Sequence, residues 1–237
     1  MKLVISDAIK EKYPALRIGL VVARNVNNAI YQEDLEEFVK DVFKKFINEF
    51  DDHKDFDDHK NINAWREVYR SFGINPKKKK PTAESLLARA IRSNYIPHIS
   101  PAVDAYLCAE TAHYLPIGGY DLTRISGDII LRFSNGSEEF HGVGAEVAEV
   151  TNEGEVIYAD NERVLTRCWN YRDCDYSKID TETSTLALFS EAPLAEISDD
   201  EVKETIEQIS ANLQKFCGAQ CLVMFMSSNE NEITIYN

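Results

Sequence analysis

Apolar residues along this chain follow a helical rhythm in the first half and a strand rhythm in the second, with the change near Asp121. Lys2 to Ile5 and the near-continuous apolar run Leu16 to Ala23 predict short strands. Leu35, Phe38, Val39, Val42, Phe46 and Phe50 form one stripe, which predicts an amphipathic helix over Asp34 to Phe50. Ile62 to Phe72 and Pro81 to Arg92 predict two more helices, with Pro81 at a first helical position. Ser100 followed by Pro101 opens another. Beyond Asp121 the residues Ile125 to Phe133 alternate, Asn135-Gly136 signals a hairpin turn, and Glu138 to His141 returns. Glu155 to Tyr158 and Leu186 to Phe189 predict strands. Ser198 with Glu201 is a capping box, opening a helix to about Phe216, and Gln220 to Met226 with Glu232 to Tyr236 predicts a closing hairpin. Helices in clusters and strands in clusters predict the α+β class, with mixed sheets and packed helices.

The 237 residues, 44% hydrophobic and 10% aromatic, suffice for a substantial core. The motif Asp51-Asp52-His53-Lys54 is echoed by Asp57-Asp58-His59-Lys60 and is expected to be a solvated loop, since nothing organises its side chains as metal ligands. It marks the expected boundaries: residues 1–60 as an N-terminal αβ subdomain packing on the rest, 61–195 as the core carrying the chemistry, 196–237 as a helix and hairpin completing the fold. Cys108, Cys168, Cys174, Cys217 and Cys221 lack the paired spacing of a zinc cage and are expected as buried thiols. No cofactor, metal or membrane contact is expected, and the bland expectation is a cytoplasmic location.

A net charge of −14 opposes nucleic-acid binding by the surface as a whole. The charge is uneven, though. From Trp65 to Arg92 eight basic residues face only Glu67 and Glu84, whereas Asp180 to Gln208 holds nine acids against Lys203. Arg66, Arg70, Lys77, Lys78, Lys79, Lys80 and Arg89 concentrate in a strip suited to phosphates, which such residues bind by releasing counterions. Close by, Leu115-Pro116-Ile117-Gly118-Gly119-Tyr120-Asp121 places a bare backbone turn, open either to simple turning or to donating amides to an oxyanion. Cys168-Trp169-Asn170-Tyr171-Arg172-Asp173 is either a turn covering the core or a wall of the same pocket. Gly142-Val143-Gly144 fails as a dinucleotide loop because Val147 occupies the third glycine position. His98, His113 and His141 are expected as packed or solvated, His113 being retained for its closeness to the glycines.

Trp65 to Tyr69, Phe72 to Lys77, Glu84 to Ile91, Ser100 to Asp104, Leu115 to Asp121, Gly154 to Asp160 and Trp169 to Asp173 together resemble one family. These pieces, in order across about Ile62 to Ala192, are similar to free-standing proteins built on the tRNA-binding and editing domain of the phenylalanyl-tRNA synthetase beta subunit. That resemblance implies a hydrolytic sieve that cleaves the ester of a misacylated tRNA with a positioned water. It places Gly118 and Gly119 at the pocket floor and Glu191 as a carboxylate touching substrate. Tyr106, Leu107, Tyr120, Asp121, Trp169 and Asn170 complete the implied substrate contacts. The family pattern carries a histidine at Gly118 and an asparagine at Leu107, so a changed choice of amino acid is implied. No synthetase catalytic core accompanies the resemblance, which implies ester cleavage rather than tRNA charging.

Three readings follow. The first is a deacylase acting in trans on the aminoacylated 3′ end of tRNA; the second is a non-catalytic tRNA- or RNA-binding module on the same fold. The third is a small-molecule or protein-interaction domain whose lysines are only solvated surface.

Overall fold

The computed structural model describes residues 1–49 and 58–235. Two sheets stack face to face, and helices cover the outer face of one of them. The larger sheet has the order β12-β1-β4-β7-β8-β9, from strands β1 (Lys2–Ile5), β4 (Ile129–Asn135), β7 (Glu153–Ala159), β8 (Val164–Arg167), β9 (Arg172–Asp173) and β12 (Glu232–Thr234). β1 and β4 run parallel and the other pairs antiparallel, so the sheet is mixed. The second sheet has the order β11-β2-β10-β3, all antiparallel, from β2 (Arg17–Arg24), β3 (Ile117–Asp121), β10 (Thr185–Ala192) and β11 (Gln220–Met226). A separate ribbon pairs β5 (Glu139–Phe140) with β6 (Glu149–Val150).

The continuous apolar run of β2 has its explanation in this stacking. Leu20 and Val22 face the larger sheet and join Leu131, Val156 and Phe189 in one core; Val21 and Ala23 face the helices and join Leu186, Leu188, Ile206 and Leu213 in another. A strand covered on both faces has no use for polar alternation. The helices are α1 (Asp7–Lys12), α2 (Glu33–Asn48), α3 (Lys60–Ser71), α4 (Thr82–Ser93), α5 (Pro101–His113) and α6 (Asp199–Cys217). On α2 the buried positions are Leu35, Val39, Val42 and Phe46 of the expected stripe, with Phe38 half-buried; Phe50 lies outside the described residues, as do 51–57 of the loop repeat. α6 opens on the expected capping box, with Ser198 Oγ accepting from the Glu201 amide and the Glu201 carboxylate accepting from the Ser198 amide. Ser100 precedes Pro101 at the start of α5 but its hydroxyl makes no cap bond, and Pro81 sits one position before α4 rather than inside it.

Three expectations about turns are corrected. Gly118-Gly119 is not a turn: both lie within β3, paired with Phe189 and Leu188 of β10. A Cβ at Gly119 would sit 2.1 Å from the Ala187 carbonyl oxygen, so glycine there permits close strand approach. Asn135-Gly136 turns the chain but closes no hairpin, because both edges of β4 are already held by β1 and β7. Likewise β11 and β12 pair with β2 and β1 in different sheets, so Ser227 to Asn231 crosses between sheets. The first sixty residues supply strands to both sheets. Cys108, Cys168, Cys174 and Cys217 are buried free thiols, and Cys221 is half-buried.

Candidate active site

Where the two sheets part, a cavity of about 250 Å³ opens between β3, β10, the middle of the larger sheet and the turn Cys168–Tyr171. Strand alternation decides what faces it. Gly118 and Tyr120 line it from β3, Phe189 and Glu191 from β10, Tyr158 from β7 and Thr166 from β8. Tyr120, Tyr158 and Phe189 form an aromatic cluster, with centroids 5.7 Å and 5.8 Å from Phe189. Trp169 and Asn170 close one side, and Asp173 stands between this cavity and a second of about 410 Å³, which Gly119 and Tyr106 line. Nothing lies within 4 Å of a Cβ built on Gly118, so that glycine leaves the first cavity open.

Two acids define the electrostatics. Glu191 is buried, and burial lifts its carboxyl to about 7 despite the hydrogen bond it accepts from the Tyr158 hydroxyl at 2.5 Å. Asp173 is lifted by its surroundings to about 6, against the bond its Oδ1 accepts from Thr166 Oγ1 at 2.6 Å. With its proton committed to Asp173, Thr166 accepts at 2.6 Å from the Tyr120 hydroxyl, so Tyr120, Thr166 and Asp173 form a chain pointing one way. Asn170 Nδ2 is buried without a partner, while Asn170 Oδ1 accepts from the Tyr69 hydroxyl at 2.7 Å; the Trp169 indole faces Glu191 and opposes its lift. Cys168 and Trp169 both hold positive φ, 48° and 69°, an uncommon conformation for side chains of this bulk.

The β3 amides divide. Asp121 donates its amide away from the ladder to the Ser177 carbonyl at 3.0 Å. Alternation turns the Gly119 amide the same way and the Gly118 amide into the ladder toward Phe189. Of the two amides expected to be free donors, only that of Gly119 points off the sheet. Three further expectations are displaced from the cavity. Asp121 is bound up in the fold, accepting from the Thr123 amide and hydroxyl and from Thr183 Oγ1. Leu107 is packed in the helix-side core, and Tyr106 lines the second cavity rather than the first. Gly118, Tyr120, Trp169, Asn170 and Glu191 do converge on the first, joined by Asp173, Thr166 and Tyr158. Asp173 closes the aromatic cluster at Cys168–Asp173 and was legible there as the one carboxylate of that motif.

The basic strip borders this cavity. Thr82, at the start of α4, lines it, and Lys79 Nζ lies 5.4 Å from the ring of Tyr171, another lining residue. Part of the strip is spent on the fold: Glu84 holds Arg66 at 2.8 Å and Lys80 at 2.7 Å, and Arg70 pairs with Glu67. Those two contacts hold Glu84 below its ordinary value against burial. Lys77, Lys78 and Arg89 remain exposed. His113 is engaged with Gln208 at 2.6 Å, away from the glycines' cavity. A larger cavity of about 490 Å³ lies near Arg132 and Arg163, but Arg132 is already paired with Glu138. Among the described residues no cluster of histidine, cysteine and carboxylates is placed to hold a metal, and no helix is long and apolar enough to cross a membrane.

A family model for the B3/4 domain matches residues 64–218, which include β3, β10, α4 and every residue named around the first cavity. The chain belongs to the B3/4 domain family. Among solved structures, an N-terminal fragment of the phenylalanyl-tRNA synthetase beta subunit from Pyrococcus horikoshii is similar at 9% identity and a TM-score of 0.49. The likeness covers 94% of this chain and 53% of that one, so the B3/4 chain spans about half the fragment's length. No curated protein matches it.

Proposed function

We propose that this B3/4 protein binds the aminoacylated 3′ end of tRNA and hydrolyses the ester of a misacylated one in trans. The observation that carries the proposal is the junction of Lys79 with Tyr171: a phosphate-binding strip runs up to the mouth of a cavity sized for one amino acid. Lys77, Lys78 and Arg89 hold the tRNA backbone, and the cavity takes the aminoacyl group. The Gly119 amide polarises the ester carbonyl as charge develops on its oxygen. A water, oriented by Asp173 and a hydroxyl of the tRNA, attacks the carbonyl carbon, and Asp173 takes its proton and passes it to the departing ribose oxygen. The C–O bond to the ribose then breaks, releasing the amino acid and a free tRNA hydroxyl. Asp173 is ionised above about pH 6, so it is competent as a base at neutral pH. Glu191 contacts the bound side chain from the opposite wall, held in place by Tyr158.

The binding-module reading has one observation in its favour. Gly118 commits its amide to the ladder, leaving a single off-sheet donor from the pair, and among the described residues no serine or cysteine lines the cavity. Release of labelled amino acid from a panel of misacylated tRNAs separates the two. Cleavage by the parent chain, lost by a hundredfold in Asp173→Asn and in the cavity-filling Gly118→Leu, is the expected result. Salt-sensitive tRNA binding without release from any tRNA refutes hydrolysis and leaves the module.

A further inference from the structure

The two sheets expose four terminal strands, and three are poor templates for another chain. β9 is two charged residues long, β12 is three residues with Glu232 bound to Lys2, and β3 is five residues whose outer edge is already engaged where the Asp121 amide meets the Ser177 carbonyl. β11 is different. It runs seven residues, Gln220-Cys221-Leu222-Val223-Met224-Phe225-Met226, without a charged side chain or proline. β2 holds one edge, and among the described residues no backbone bond reaches the other. Leu222 is 56% exposed and Val223 39%. α6 covers part of one face, with Lys203 over Phe225 and the Cys221 thiol reaching the Ser210 carbonyl.

We infer that β11 is the interface of a twofold dimer, pairing edge to edge with β11 of a second copy. Twofold symmetry puts the same patch opposite itself, so a contact between copies must be neutral or carry its own complement. At a net charge of −14 most of this surface would meet like charge. The run Phe216 to Asn229 escapes that penalty, containing no Asp, Glu, Lys or Arg, and β11 lies inside it. Antiparallel pairing about Val223 sets Val223 against itself, Leu222 against Met224, Cys221 against Phe225 and Gln220 against Met226. Every level but the last is apolar on apolar, where cross-strand pairs stabilise a sheet. The two second sheets then become one continuous sheet, with the unmet backbone groups of both edges satisfied. β3 lies at the far end of that sheet, so both cavities stay open in the dimer.

Sedimentation equilibrium of the full chain across micromolar concentrations tests this. The expected result is twice the 27.0 kDa chain mass for the parent and a halving to the chain mass for Leu222→Lys. Across the twofold axis the two residues at position 222 are diagonal neighbours, within reach of long side chains. An equimolar mixture of Leu222→Lys with Leu222→Glu therefore recovers the doubled mass, a recovery that an unfolded variant cannot give. A parent that stays at the chain mass, a dimeric Leu222→Lys, or a mixture that fails to recover each overturns the inference.

Discussion

Adjacent glycines in β3 are expected to respond in opposite ways to one added methyl group. In Gly119→Ala the new Cβ lies 2.1 Å from the Ala187 carbonyl oxygen and 2.6 Å from Leu188 Cδ2. The oxygen belongs to the paired strand's backbone and cannot rotate aside, so β3 must draw back from β10 by more than an ångström. Overpacking of that kind costs 1–3 kcal/mol, and a weakened ladder bond adds about 1 kcal/mol. An expected loss of about 3 kcal/mol corresponds to roughly 6–12 °C in Tm for a chain of this size. In Gly118→Ala the new atom enters the open cavity with nothing within 4 Å, and the unfolded chain loses freedom. Stability is expected to hold or rise by up to about 1 kcal/mol. Urea titrations of the two variants and the parent, compared at constant slope, decide the matter. A Gly118→Ala midpoint as low as that of Gly119→Ala refutes the close approach of β3 and β10 and the open floor together.

Glu191 has a raised folded value, near 7 against an ordinary 4.5, so the native state keeps a proton that the unfolded chain releases between those values. The Glu191 contribution is therefore full below about pH 4.5 and is lost as pH rises to about 7; Glu191→Gln removes up to about 3 kcal/mol of fall across that window, and matching pH slopes in parent and variant there would contradict it. Lys77→Glu with Lys78→Glu is expected to weaken tRNA binding and lower the log–log salt slope by about 2, whereas an unchanged slope removes these lysines from the phosphate contacts. Arg167→Leu strands the buried Glu155 carboxylate, which the guanidinium grips at 2.7 and 2.8 Å, and is expected to cost about 3–5 kcal/mol by chemical denaturation.

What was legible in the sequence was local. The α2 stripe, the Ser198 capping box and the buried run of β2 each follow from side chains within a few residues, and each is where the pattern puts it. Strand partnership was not legible, because it depends on which edges remain unoccupied. Asn135-Gly136 has the chemistry of a hairpin turn, yet β4 is flanked by β1 from the far N-terminus and by β7. Gly118-Gly119 read as a turn because glycine permits turns; the reason for glycine at 119 is a carbonyl 68 residues away in sequence, at Ala187. The basic strip was visible in composition, but its partial neutralisation by Glu84 was not, since one carboxylate inside a helix gives no sign that it serves two cations.

The same distinction separates stability from function at the cavity. Around it are two adjacent non-glycine residues at positive φ, an amide nitrogen buried without a partner, and two acids lifted by burial. Each opposes folding: strained backbone costs of order 1–3 kcal/mol per residue, and an unsatisfied buried donor about 1–3 kcal/mol. Similar features occur elsewhere, with unpaired buried atoms at Ser6, Trp65 and Ser190 and a carboxyl lifted by burial at Glu110, but here they stand together around one cavity, beside three aromatic rings and at the end of a lysine strip. Unmet donors and raised acids in one place are groups that gain partners when a polar ligand enters, so their cost to the empty fold becomes affinity for what binds. Gly118 leaves this cavity open without pairing any of those groups. The space at Gly118 stays open and the Asn170 amide nitrogen unpaired, costs that a ligand carrying a hydrogen-bond acceptor would remove on entering.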